Sequence, residues 1–256
     1  MVTRRVLALD LGNTQLKVGV MEAGRLVAGG RLSTDRRRTA DEYGVLLWHL
    51  VRESGPTEAV LSSVVPPLTE VVRAAVAQYL GIPTRVVGVD LAPGLELDVD
   101  APEEVGADRI VNGLGALAVH APPIIVVSFG TATTFDALDP RGAFVGGAIA
   151  PGVGIAVDAL FEAAAKLPRV ELKAPRRAIG RSTADNLRSG IVFGYASLVD
   201  GMVQRMRSEL GSGAWVVGTG GLMAPIAAAC TAFDALDPEL ALRGLERLAL
   251  GGDGGG

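Results

Sequence analysis

Leu7-Ala-Leu-Asp10-Leu-Gly12-Asn-Thr14 has a near-copy later in the chain, Val126-Val-Ser128-Phe-Gly130-Thr-Ala-Thr133. Glycines keep step at an offset of 118: Gly12 with Gly130, Gly24 with Gly142, Gly29 with Gly147. Each copy reads as an apolar strand, a glycine turn rich in hydroxyl or amide side chains, a second strand, a glycine-marked bend and a third strand. One such loop is an ordinary hairpin. Two at matching spacing predict a duplicated unit whose Gly/Thr loops can face each other across a cleft and clamp the phosphates of a nucleotide.

A chain of 256 residues accommodates two such units, expected over 1–115 and 116–250, before a glycine-rich tail at 251–256 that has no apolar surface to bury. The 49% apolar content suffices for cores of that size. A formal charge of −4 with a pI near 5.3 supplies no cationic footprint for nucleic acid. Cys230 is the single cysteine, which excludes an internal disulfide and fits a reducing, cytoplasmic setting. With His49 and His120 as the only histidines, too few ligands remain for a His/Cys zinc site. The apolar run after Arg4-Arg5 is broken by Asp10, too early for a signal peptide. Leu210 to Phe233 carries no charge, but Gly211, Gly213, Gly218, Gly220, Gly221 and Pro225 interrupt it, so strand, turn and helix are expected there instead of a membrane span.

Val6–Asp10, Lys17–Glu22 and Arg25–Leu32 are expected to be antiparallel strands, turning at Gly12-Asn13 and Ala23-Gly24. Tyr43, Leu46, Leu47 and Leu50 fall at i, i+3, i+4, i+7 and predict a helix over 41–53. A buried strand follows at Glu58–Ser62, then a helix from Pro67 to Leu80 closed by Gly81, then a strand at Arg85–Val89. After Ile124 the strand-rich start and the alternation recur, with helix from Asp185 to Leu210, strand at 214–217 and helix at 225–230. The charge run Arg36-Arg37-Arg38 sits among Asp35, Asp41 and Glu42 and reads as a solvated loop.

Asp10 would be delivered at the end of a strand, where a carboxylate suits Mg²⁺ directly or through water. Gly12 lets backbone approach an anion, Asn13 and Thr14 offer donors, and Lys17 can reach a phosphate as a point charge. Gly130 and Thr131 supply the equivalent donors in the second copy, where Ser128 stands in place of Asp10. Gly218-Thr-Gly-Gly221 follows a strand and precedes a helix; Met223 at the third glycine position argues against a dinucleotide fingerprint and for a loop on which an adenosine lies flat. In Gly106-Ala107-Asp108-Arg109 the carboxylate is either a helix cap or a proton acceptor for an alcohol, with Arg109 gripping an anionic substrate. Neither Gly-x-Ser-x-Gly nor a P-loop occurs.

Taken in order, these motifs resemble the type III pantothenate kinases, relatives of the Bvg accessory factor proteins within the actin/hexokinase/Hsp70-like superfamily. The resemblance runs from Asp10 through Gly106–Arg109, Phe129–Asp136, Gly146–Gly152, Ile179–Thr183, Ser189-Gly190, Thr219–Gly221 and Leu242–Leu245, nearly the whole chain. It implies an α/β fold of duplicated actin-like (ribonuclease H-like) domains, each a mixed five-stranded sheet flanked by helices. It implies ATP-dependent phosphorylation of pantothenate to 4'-phosphopantothenate, the first step of coenzyme A biosynthesis. Asp108 is then the general base, while Asp10 to Lys17 and Thr131 hold ATP with Mg²⁺. Gly106 to Arg109 hold pantothenate, and Thr183 reaches the substrate from the neighbouring subunit of a homodimer.

Two departures from the family pattern stand out. Ser128 occupies the place of an aspartate that helps hold a monovalent cation, K⁺ or NH₄⁺, and brings no charge. Val99 and Ala101 occupy the places of a Tyr and an Asn lining the pantothenate pocket. They keep open two alternatives: a non-catalytic accessory relative that binds nucleotide, and a kinase for another small alcohol.

Overall fold

The computed structural model describes residues 4–91, 94–164 and 167–251. Its strands are β1 (Val6–Leu11), β2 (Gln15–Glu22), β3 (Arg25–Ser33), β4 (Glu58–Ser63), β5 (Thr84–Val86), β6 (Ile124–Phe129), β7 (Ala132–Leu138), β8 (Phe144–Pro151), β9 (Trp215–Thr219) and β10 (Ala235–Leu236). Its helices are α1 (Ala40–Val51), α2 (Pro66–Leu80), α3 (Ala107–Val119), α4 (Val153–Ala163), α5 (Thr183–Leu210), α6 (Met223–Ala227) and α7 (Leu240–Gly251). Gly251 therefore ends a helix, and the remainder of the expected glycine tail, 252–256, lies outside the described residues. Two compact units form, one from the described residues of Met1–Glu96, Asp100–Val119 and Glu239–Gly256, the other from Leu97–Val99 and His120–Pro238.

In the first unit the sheet order is β3-β2-β1-β4-β5, antiparallel among the first three strands and parallel from β1 to β5. Strand alternation sends Leu7, Leu9 and Leu11 to one face, where they meet Tyr43, Leu47, Leu61, Leu68 and Val72 in a dry cluster. Val6, Ala8 and Asp10 point to the other face, covered by α3 and α7. With helices on both sides, the central strands read as continuous apolar runs, as parallel strands do.

Local chemistry sets the boundaries. Thr39 and Glu42 form a reciprocal capping box at the start of α1, with the Thr39 N–H donating to Glu42 Oε2 at 2.8 Å and the Glu42 N–H to Thr39 Oγ1 at 3.3 Å. Pro66 opens α2, and Gly81 closes it at φ 66°. The strand expected over 85–89 stops at Val86. There Asp90 accepts the Val86 N–H at 2.8 Å and the chain turns through Gly88 at φ +81°, leaving Val89 exposed.

The last helix returns to the first unit. Added methyl carbons at Gly244 and Gly115 would lie 1.9 Å from the Val111 carbonyl oxygen and 2.0 Å from that of Leu240, so α3 and α7 touch backbone to backbone. Glu246 accepts the N–H of Gly24 at 3.0 and 3.2 Å, and Arg243 donates to the Gly24 carbonyl, which clasps the β2–β3 turn to α7. Gly244→Ala must push the two helices apart. We expect it to destabilise the protein by about 3 kcal/mol, the upper range for overpacking, read as a lower urea midpoint; an unchanged midpoint would mean that α7 is not held this closely.

The second unit repeats the plan. Its order, β10-β9-β6-β7-β8, is the first sheet's order read from the opposite edge, again antiparallel across β6, β7 and β8 and parallel across β6, β9 and β10. The offset of 118 maps β1 onto β6 residue for residue. Ile125, Val127 and Phe129 pack with Phe135, Val192, Val199 and Val216. The charge-free segment from Leu210 to Phe233 resolves into the end of α5, then β9 and α6. No helix among the described residues is long and apolar enough to cross a membrane.

Candidate active site

Asp10 stands opposite Lys17 in β2 and opposite Ser62 in β4. All three side chains therefore project to the α3/α7 side, as a row of cation, carboxylate and hydroxyl across three strands. Asp108, the second residue of α3, joins them. Burial pushes the Asp10 carboxyl up to about 6, Lys17 opposes that rise, the Asp108 charge adds to it and Ser62 opposes it. Burial also raises Asp108, against the stabilising N–H and charge of Arg109. Two partly buried carboxylates whose proton affinity is raised by burial are poised to accept a hard cation or a proton.

The backbone around Asp108 explains its glycine. A methyl carbon at Gly106 would lie 2.6 Å from Asp108 Oδ1, so a larger residue there would make this carboxyl swing away. The Gly106 carbonyl accepts the N–H groups of Arg109 and Ile110 at 3.0 and 3.2 Å, and Asp108 Oδ1 takes the Arg109 N–H at 3.0 Å. The cap and proton-acceptor readings of Asp108 are thus compatible, since one oxygen serves the helix.

Gly12, Asn13 and Thr14 form the β1–β2 turn, with the Gly12 N–H donating to the Gln15 carbonyl at 3.0 Å. Thr34, which the sequence did not single out, pins this turn: its hydroxyl donates to the Gly12 carbonyl at 2.7 Å and its N–H to that of Thr14 at 3.0 Å.

In the second unit three glycine loops meet on one stretch of backbone. A methyl carbon at Gly152 would lie 2.1 Å from the Thr131 carbonyl oxygen, and one at Gly220, φ +102°, 2.5 Å from that of Phe129. Tyr195 fastens the group by donating to the carbonyls of Pro151 and Gly152 at 3.2 and 3.4 Å. The structure thus gathers Gly130, Thr131 and Gly220-Gly221. The β6–β7 turn is one residue shorter than the β1–β2 turn, so Thr134, at an offset of 117 from Lys17, faces Ser128. Thr219 faces Ser128 from β9. The charged row Lys17–Asp10–Ser62 has a neutral counterpart, Thr134–Ser128–Thr219.

Val99 belongs to a segment stapled to β8, where the Asp98 N–H donates to the Phe144 carbonyl at 2.9 Å and Arg141 pairs with Asp98 at 2.9 Å. Thr183 is exposed on the first turn of α5, after a strap held by the Ser189 hydroxyl on the Ala178 carbonyl at 2.5 Å. Burial first, then the Asp200 charge, pushes the Cys230 thiol up to about 12, which leaves it inert as a nucleophile. Among the described residues no three His, Cys, Asp or Glu side chains cluster as a metal cage. One or two carboxylates beside phosphates are the usual donor set for Mg²⁺, and Asp10 with Asp108 fits it. The hydroxyl row at Ser128 could ligate a monovalent cation without supplying charge.

The family described as Type III pantothenate kinase matches residues 6–205. The type III pantothenate kinase of Roseiflexus castenholzii is 47% identical over 245 residues, spanning 94% of this chain and 96% of the relative. A conserved Baf family protein from Campylobacter jejuni has a similar structure, at TM-score 0.61 and 19% identity over 96% of this chain and 98% of that one. The ROK hexokinase of Thermus thermophilus shares the fold at TM-score 0.52 and 14% identity, over 98% of this chain and all of that one.

Proposed function

The chain belongs to the type III pantothenate kinase family, and we propose the assignment of residues by which it carries out that family's reaction. It is an enzyme that transfers a phosphoryl group from ATP to pantothenate, the first step of coenzyme A biosynthesis, on duplicated actin-like α/β domains. The half-buried pair Asp10 and Asp108, with Lys17 alongside, is the observation that carries the assignment.

Asp108 accepts the proton of the pantothenate primary hydroxyl; a carboxylate raised by burial is a stronger base than one in water. Arg109, fixed on the same helical turn, holds the pantothenate carboxylate, with Gly106 and Ala107 giving close backbone approach. Gly12, Asn13, Thr14 and Lys17 bind ATP phosphates in the first unit; Gly130, Thr131, Gly220 and Gly221 bind the nucleotide in the second. Asp10 holds Mg²⁺, which when bound neutralises phosphate charge. Val99 and Thr183 complete the pantothenate contacts, Thr183 from the partner subunit. Ser128 replaces a carboxylate by a hydroxyl, so a K⁺ or NH₄⁺ ion loses a charged donor at that position and its effect on rate should be weak. A homodimer is supported by α4, an apolar helix that exposes Ile155 and Leu160, and by exposed Ile149 and Ile179 in the same unit. ATP as co-substrate and a lone inert thiol support a cytoplasmic setting.

Purified protein with Mg-ATP and pantothenate, with and without K⁺ or NH₄⁺, should release ADP and phosphopantothenate with little dependence on the monovalent ion. Nucleotide binding without turnover would favour an accessory protein, the reading that Ser128, Val99 and Ala101 motivate. Turnover with only another alcohol would reassign the acceptor. Sedimentation equilibrium should give a mass twice 26.3 kDa; a monomer would remove Thr183 from its role.

A further inference from the structure

Ser62 has no part in the roles given so far, yet its place in the sheet singles it out. It is fully buried, and among the described residues its hydroxyl makes no full hydrogen bond. Burying a hydroxyl without a partner costs desolvation with nothing returned, so alanine would suit a purely packed position better. Ser62 stands directly opposite Asp10 in the parallel β1–β4 ladder, on the same face of the sheet. The other groups around Asp10 are Lys17, opposite it on β2, and Asp108 at the start of α3. Lys17 occupies one flank of Asp10 and Ser62 the other, so rotation of the carboxyl towards Ser62 converts an approach into a charge-assisted hydrogen bond.

We propose that Ser62 is a positioning residue: its hydroxyl donates to one oxygen of Asp10 and so turns the other towards the divalent cation that accompanies ATP. The proposal rests on Asp10 being the ligand of that cation. A ligating carboxylate that is itself hydrogen-bonded keeps its orientation, and losing such an outer partner typically weakens metal affinity about 10–100-fold. The second unit keeps a buried, unpartnered hydroxyl at the matching register, Thr219 opposite Ser128, where no carboxylate awaits it. The pairing of hydroxyl with carboxylate is what distinguishes Ser62.

Mn²⁺ is a direct probe, because free Mn²⁺ is counted by electron paramagnetic resonance without turnover. Its binding is titrated in the presence of a non-hydrolysable ATP analogue for the unmodified protein, Asp10→Asn, Ser62→Ala and Ser62→Thr, alongside thermal melts without ligand. Ser62→Ala should bind Mn²⁺ about tenfold more weakly while melting no lower than the unmodified protein, and Ser62→Thr should restore most of the affinity. Unmodified affinity in Ser62→Ala, with Asp10→Asn weakened, would overturn the role of Ser62 alone. Unmodified affinity in Asp10→Asn would overturn both this inference and the metal role of Asp10. A loss in Ser62→Ala that Ser62→Thr does not repair, with a lower melt, would mean that Ser62 serves packing only, and the proposal would fall.

Discussion

Asp108→Asn should lower kcat by a factor on the order of 10²–10⁴, the usual worth of a general base, while the apparent affinity for ATP changes little. The amide matches the carboxyl in shape and can still accept the Arg109 N–H that Asp108 Oδ1 now takes at 3.0 Å. It occupies the space that Gly106 leaves clear. What it lacks is a lone pair basic enough to take the proton of the pantothenate hydroxyl. Because burial already presses Asp108 towards its neutral form, a neutral substitute should not lower stability, so a fall in rate would report chemistry and not unfolding. The acidic limb of the rate profile should also change. In the unmodified enzyme Asp108 must be ionised, so rate falls as pH drops through its raised pKa; in the variant that limb should vanish, leaving a low, flat rate. Rapid-quench measurement of the phosphoryl-transfer step is the decisive assay. Near-normal turnover would remove Asp108 from the reaction and return it to the plain helix-capping role.

Several features of this site were legible in the sequence because the information is local. The glycine spacing announced the duplication, and strand–turn–strand patterning delivered Asp10 and Ser128 at equivalent strand ends. The close approach of the Asp108 carboxyl to Gly106 is visible only in the structure. What could not be read is set by pairing between distant segments. Ser62 and Thr219 matter because parallel ladders put them beside Asp10 and Ser128, and no local pattern encodes a ladder register. A signal did exist: the apolar run of β4 gives way to Ser62 at its fifth residue, the position that Asp10 holds in β1. The shorter second turn shifts Thr134 into the place of Lys17, which a fixed offset of 118 conceals. The final helix offers an apolar stripe, but such a stripe does not name the surface it will cover. Its return to β1 and α3 depends on Gly115 and Gly244 meeting backbone, a complementarity visible only with both helices in place.

Asp10→Asn should produce two opposite effects. Catalytically it removes an anionic ligand of the cation on ATP, and kcat/KM for Mg-ATP should fall more than about 100-fold, since charge stabilisation of this kind is worth several kcal/mol. In the absence of nucleotide, however, the variant should be the more stable protein at neutral and alkaline pH. The Asp10 carboxyl rises from 3.8 to about 6 in the folded chain, so folding favours its protonated form. Its contribution to stability is complete below about pH 4 and is lost as pH climbs through about 6. Above that, the fold carries an ionised carboxylate at a cost of up to about 3 kcal/mol, less in practice because part of the residue reaches solvent. Asparagine carries no such charge. Its melting temperature at pH 8 should exceed that of the unmodified protein by on the order of 5 °C, and the two should converge near pH 4. Mg-ATP should then reverse the order at pH 8, raising the unmodified melt by mass action while leaving the variant nearly unmoved. If Asp10→Asn melts lower than the unmodified protein at pH 8 without ligand, the charge at this strand end is held favourably by Lys17 and Ser62 and is not a strain stored for the cation. The site would then owe its acidity to the sheet, and the reason for burying Asp10 beside Asp108 would have to be sought in the fold and not in phosphoryl transfer.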